Sequence, residues 1–208
     1  MINDPASLLV FVKYPRAGRV KTRLGAEIGL DTAARLYREF AEICVRRFRR
    51  LNWADFIIYF DPPEEEATFR AWLGDDLTYW PQPSGDLGER LRRGLERMLE
   101  TSGRALAVGT DSPDLPLAYL EQAAAALRTH DLAAGPAADG GYYLIGLSRP
   151  APELFEGVPW STPRVLRVTL EKAAQLGLAV EILPEWYDVD TVEDLKRWER
   201  RTTPDTDQ

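Results

Sequence analysis

Residues 7–24 read SLLVFVKYPRAGRVKTRL, and they hold both the start of the fold and its most unusual chemistry. The opening seven are an apolar, β-branched run without alternation, the pattern of a strand buried on both faces of a sheet. Five cations then crowd into residues 13–23: Lys13, Arg16, Arg19, Lys21 and Arg23, in a chain whose formal net charge is −7. A solvated basic loop is the bland reading of such a run. Charge concentrated against the overall balance, directly after a strand and beside Gly18, instead favours a ligand with several negative charges, such as a polyphosphate. The run is not a P-loop, because it lacks that glycine spacing and the Lys-Ser/Thr ending.

Outward from this strand, the pattern alternates. Residues 31–48 carry apolar positions at helical spacing, with Asp31 as the expected cap. DFIIYF at 55–60 reads as a second strand, Pro62–Pro63 opens a short acidic helix, and residues 77–80 form a weaker strand. A helix is expected over 87–98, a strand over 104–109, and a helix over 117–129. Strands at 132–136 and 142–147 are joined through Asp139-Gly140-Gly141; a helix over 162–177, a strand at 179–183 and a helix capped by Asp190, with Glu193 as its capping-box partner, complete the order. Strands alternating with helices imply βαβ units, hence a single-domain α/β three-layer sandwich with a mostly parallel central sheet. The domain is expected to span 1–201, with a polar, fraying tail at 202–208.

Composition narrows the function. An acidic balance disfavours nucleic acid and anionic membranes as partners. No leader pattern and no apolar run of bilayer length are visible, so a cytoplasmic protein is expected. The single cysteine, Cys44, cannot form an internal disulfide and falls among apolar helix positions, which suits core packing. The single histidine, His130, follows a helix pattern; a Ser-His-Asp hydrolase and a histidine-built metal site are both disfavoured.

In parallel sheets ligands bind beyond the carboxyl ends of the strands, and the remaining polar clusters fall there. GTDSPDLP at 109–116 places Asp111 and Asp114 at the end of an apolar strand, where carboxylates can bind Mg²⁺ or Mn²⁺; turn or cap roles are the alternative. YDVDTVEDL at 187–195 offers Asp188 and Asp190 on one side of an extended segment, either a possible second ligand for a cation on Asp111. QPSGDLGER at 82–90 has small residues that let a base or ribose approach the backbone, and DGGYY at 139–143 adds a carboxylate and two aromatics.

Taken in order, the motifs at 13–24, 85–90, 109–114, 139–146, 159–162 and 188–195 resemble the A-type glycosyltransferase, or nucleotide-diphospho-sugar transferase, superfamily. The nearest resemblance is to small bacterial glycosyltransferases whose genes accompany radical-SAM and selenium- or arsenosugar-related proteins. The chain also looks like guanylyltransferases acting on phospholactate or the molybdenum cofactor. The resemblance implies a donor site of Lys13, Pro15, Gly18, Lys21 and Arg23 for the phosphates, with Gln82, Gly85 and Gly88 near the nucleoside. It implies Mg²⁺ or Mn²⁺ on Asp111, helped by Asp190 or Asp188, and charge neutralisation by Lys21 and Arg23. Asp139 is the candidate general base, and Tyr142 and Trp160 the acceptor wall. The first loop has fewer glycines and more cations than the guanylyltransferase signature. Glycosyl transfer from a nucleotide-sugar to a small acceptor is therefore the leading expectation. Nucleotidyl transfer from an NTP comes second, and a non-catalytic nucleotide-binding module third.

Overall fold

The structure is a computed structural model and describes residues 6–202. Its centre is strand β1 (Ala6–Lys13), in which Leu8, Leu9, Val10 and Val12 are fully buried. Each such side chain contributes about 1.5–3 kcal/mol by leaving water. Successive residues feed opposite faces. Leu8, Val10 and Val12 join one core, with Cys44, Phe48 and Phe69; Leu9 joins the other, with Leu91, Leu95 and Met98. The unbroken apolar run is thus explained by burial on both sides.

After β1 come helices α1 (Thr22–Ile28) and α2 (Leu30–Phe48), then β2 (Ala54–Asp61), α3 (Glu66–Leu73) and β3 (Thr78–Pro81). Helix α4 (Leu87–Leu99), β4 (Arg104–Val108), α5 (Leu117–Ala126), β5 (Leu132–Pro136) and β6 (Tyr142–Leu147) follow. The order ends with α6 (Val165–Gln175), β7 (Val180–Ile182) and α7 (Val192–Thr202). The seven strands lie in the order β3-β2-β1-β4-β6-β5-β7. Only β6 runs antiparallel to its neighbours, β4 and β5. The mostly parallel three-layer α/β sandwich is therefore as expected. Helices α2, α3 and α5 supply the core on one face, and α4 and α6 that on the other. Helix α7 packs on α2 through Trp198 against Phe40, rings 5.0 Å apart.

Three local expectations are corrected. Residues 22–28 form α1, where the sequence suggested only loop, because α1 docks on α2. Helix α2 begins at Leu30 after Gly29, which turns the chain at φ 92°; Asp31 therefore sits in the first turn, where it favours the helix dipole, and is not the cap. The final helix starts at Val192, one residue later than a cap at Asp190 requires. In the turn between β5 and β6, Gly140 has φ 89°, and a Cβ there would lie 2.3 Å from the Pro163 carbonyl oxygen. Glycine is required on both counts. Of the tail expected at 202–208, residues 203–208 lie outside the described residues.

Candidate functional site

The carboxyl ends of β1 and β4, with the loops that follow them, open on a cleft of about 1110 Å³. Lys21 is its most constrained residue. It precedes α1 with φ 45°, in the left-handed region, and its side chain is only 2% exposed. Its ammonium lies 2.5 Å from Asp111 Oδ1 and donates to Asp190 Oδ1 at 2.8 Å. Burial alone would lower the Lys21 pKa, but the fields of Asp111 and Asp190 prevail and raise it above the ordinary lysine value. The ammonium is therefore a fixed cation at every physiological pH. Among the described residues, Lys21 and Ser161 are the non-glycine residues with positive φ, and both line the cleft. Such backbone costs about 1–3 kcal/mol per residue and persists where the surrounding structure over-determines it.

The two carboxylates arrive by separate routes. Thr110, before Asp111, donates to the Phe11 carbonyl at 3.2 Å and shares a 3.1 Å hydrogen bond with the Tyr37 hydroxyl. This ties the loop after β4 to β1 and α2. The Val189 amide donates to the Asp111 carbonyl at 2.9 Å, which fixes the late segment to the same loop. Asp188 is half-buried, lines the cleft beside them and accepts from Ser112 Oγ at 2.7 Å. Burial and then the Asp111 charge push its carboxyl up to about 7, against opposing pulls from Lys21 and Ser112.

Asp190 is not the helix cap. Thr191 Oγ1 accepts the Asp194 amide at 3.2 Å, and Asp194 Oδ2 accepts the Thr191 amide at 2.9 Å and its hydroxyl at 2.6 Å. This reciprocal box, one residue beyond the expected one, leaves the Asp190 carboxylate free to face Lys21. Thr191→Ala should accordingly cost about 1 kcal/mol of stability. Asp190→Asn should weaken the Lys21 pair but leave the α7 cap intact; amide hydrogen exchange in the first turn of α7 checks this, and local fraying of that turn in Asp190→Asn but not in Thr191→Ala would return the cap to Asp190.

Asp114 is likewise turned away from Asp111. Its carboxylate accepts from Tyr187 Oη at 2.8 Å, Arg201 Nε at 2.9 Å and, more distantly, Trp186 Nε1 at 3.4 Å. It anchors the segment before Asp188 and the end of α7 rather than forming a carboxylate pair with Asp111.

Of the other anticipated residues, Lys13, Arg23, Gln82, Gly85, Asp139, Tyr142 and Trp160 line the cleft. Pro15 and Gly18 do not. Gly88 lies within α4 and is shielded by Trp160: a Cβ there would come within 2.6 Å of the indole. Glycine there lets the Trp160 indole pack directly on α4. Asp139 Oδ1 accepts the Gly141 amide at 2.8 Å. Among the lining residues that the sequence reading did not single out are Arg19, Arg90, Ser112 and Ser161. All four stood inside quoted motifs, but nothing in their spacing set them apart. Cys44 is buried, its thiol pKa pushed up by burial, and it packs against the loop after β4 with Sγ 3.7 Å from the Ser112 carbonyl.

Among the described residues no three His, Cys, Asp or Glu side chains are grouped to hold a metal ion. Asp111 and Asp190 do converge on one point, which Lys21 fills. No helix among the described residues is long and apolar enough to cross a membrane.

No curated protein matches the sequence. A protein of Desulfovibrio desulfuricans G20, named as a candidate nucleotide-diphospho-sugar transferase, is 39% identical over 97% of this chain and 89% of its own, with a TM-score of 0.89. The 4-diphosphocytidyl-2C-methyl-D-erythritol synthase of Anaerococcus prevotii DSM 20548 shares the fold at 13% identity, TM-score 0.62, over 96% of this chain and 98% of its own. Rv0371c of Mycobacterium tuberculosis H37Rv, solved with manganese, does so at 16% identity, TM-score 0.53, over 93% and 97%. Residues 44–162 match the family described as uncharacterized proteins conserved in bacteria, DUF2064, and the chain belongs to that family.

Proposed function

We propose that the protein is a transferase for a nucleotide-activated donor, passing the sugar of a nucleotide-sugar to a small acceptor. The observation that carries this reading is the buried Lys21 ammonium, held between Asp111 and Asp190 in a cleft that Arg19 and Arg23 also line. One fixed cation and two exposed ones lining the same cleft suit a diphosphate. The D. desulfuricans relative, named for nucleotide-diphospho-sugar transfer, supports the same class of donor.

The donor set also fits a hard divalent cation. Asp111 and Asp190 present carboxylate oxygens, with side chains 43% and 34% exposed, and Mg²⁺ is commonly held by one or two carboxylates plus substrate phosphates. Asp111 and Asp190 would hold Mg²⁺ or Mn²⁺ with the donor, and Asp188 would add negative charge behind them. When bound, the cation supplies neutralisation of the charge that develops on the departing diphosphate.

The chain's own residues do the rest. Lys21 and Arg23 stabilise the same developing charge, an electrostatic contribution in which one lost donor costs about 3–4 kcal/mol. Asp139 keeps one carboxylate oxygen for an acceptor hydroxyl, and Tyr142 and Trp160, rings 6.4 Å apart and edge to face, wall the acceptor side.

Product analysis tests the reading. Incubation with nucleotide-sugars, Mg²⁺ and small hydroxyl acceptors is expected to release nucleoside diphosphate. Pyrophosphate released from an NTP would assign nucleotidyl transfer instead. Nucleotide binding without turnover of either donor would leave a binding module.

A further inference from the structure

The far side of the cleft holds a second fixed cation that the phosphate-end chemistry leaves unused. Gln82, just beyond β3, is 4% exposed. Its Nε2 donates to the Tyr59 carbonyl at 2.7 Å, which orients the amide and turns Oε1 to accept Arg90 Nη1 at 3.0 Å. Arg90, in the first turns of α4, also donates from Nε to the Gly85 carbonyl at 3.2 Å, and its Nη1 lies 3.5 Å from Asp61 Oδ2. The guanidinium is thus locked along its Nε–Nη1 edge. Nη2, with two N–H donors, has no hydrogen bond among the described residues, and Arg90 lines the cleft. Such a planar group, immobilised before any ligand arrives, loses little rotamer entropy on binding.

Two features separate Arg90 from the phosphate end. Asp61 already offsets its charge, which suits hydrogen-bond recognition better than anchoring a polyanion. Its place in the fold agrees: Asp61 ends β2 and Asp111 follows β4, with β1 between them. At about 4.8 Å per strand the two points are roughly 10 Å apart across the sheet, comparable with the reach from a base across its ribose to the diphosphate. An arginine edge only donates. The free Nη2 therefore matches a keto oxygen, O6 of guanine or O4 of uracil, and opposes the amino group that adenine and cytosine carry at the same place.

We infer that Arg90 reads the nucleobase of the donor and selects a keto base, guanine or uracil, over an amino base. The inference rests on the nucleotide-donor reading above and names the substrate class of the same cleft.

The test is equilibrium binding of GDP, UDP, ADP and CDP to the full chain with Mg²⁺, for wild type, Arg90→Met and Arg90→Lys, with melting temperatures measured alongside. For wild type, the better keto nucleotide should bind at least about tenfold more tightly than ADP and CDP, the scale of one hydrogen bond to a charged group. Arg90→Met should erase that preference while changing ADP and CDP affinity little. Arg90→Lys keeps the charge and loses the planar fork, so it too should lose the preference; it carries the test alone should Arg90→Met not fold. Equal wild-type affinity for all four, or a preference that survives both substitutions, overturns the base-reading role and leaves the donor reading standing. A uniform loss of affinity for all four in Arg90→Met, recovered in Arg90→Lys, overturns it in favour of phosphate anchoring. Absence of binding by any of the four overturns the donor reading and this inference together.

Discussion

Lys21→Met is expected to lose about a hundredfold or more in turnover and about 2–3 kcal/mol in stability, the largest combined effect of any single substitution in the cleft. The two losses have one cause. The ammonium is almost wholly buried and sits between Asp111 and Asp190, with Asp188 beside them. Removing it leaves Asp111 without its ion-pair partner and Asp190 with only the exposed Arg23, 4.0 Å away. Breaking a fully buried pair from one side costs about 3–5 kcal/mol. Here Asp111 and Asp190 are 43% and 34% exposed and can recover part of their hydration, so the lower figure applies. The methionine side chain keeps the volume, so a packing defect does not confound the measurement. Chemical denaturation gives the stability, and kcat/KM with a saturating acceptor gives the turnover. Mn²⁺ supplies a second readout. It should raise the melting temperature of Lys21→Met more than that of wild type, because the point between the two carboxylates is no longer filled. Equal Mn²⁺ effects in both proteins would show that the cation binds elsewhere.

The Lys21 cluster marks where sequence reading succeeds and where it ends. Strand β1 was legible because an unbroken apolar run has one economical explanation in a chain with this helix–strand alternation. The cleft was legible because ligands in parallel sheets gather at strand ends, and both Lys21 and Asp111 follow such ends. Partnerships were not legible. Lys21 meets Asp190 across 169 residues, and Asp114 meets Trp186, Tyr187 and Arg201 across 72 to 87. No local spacing encodes those distances. Asp114 looked equivalent to Asp111 in the sequence, yet one faces the cleft and the other fastens α7. The α7 cap went astray for a different reason. Asp190–Glu193 and Thr191–Asp194 are overlapping boxes, both chemically competent. The tie was broken by the demand of buried Lys21 for a second carboxylate, which is a tertiary fact. Helix α1 has no side-chain cap and no acidic residue in its first turn, so it lacks the usual start signal and depends on docking against α2.

Asp188→Asn should, in contrast, make the protein more stable, and only above acidic pH. Asp188 is half-buried in the cleft wall, and desolvation followed by the Asp111 charge lifts its carboxyl from an ordinary 3.8 to about 7. An acid whose folded pKa lies above its unfolded one binds more protons when folded. Its penalty is therefore absent near pH 4, grows as pH rises, and is complete above about 7. Lys21 loses one anionic neighbour in the variant and Ser112 keeps an amide oxygen to donate to, so a net gain of about 1–2 kcal/mol at pH 8 is expected. Denaturant midpoints for both proteins at pH 4 and pH 8 measure it. A gain of equal size at both pH values would trace the effect to packing and not to the charge. Turnover in the same variant gives the complementary half. A carboxylate kept in so unfavourable a place is the kind of residue whose removal stabilises a fold and weakens its function, so Asp188→Asn should lose activity at the pH where it gains stability.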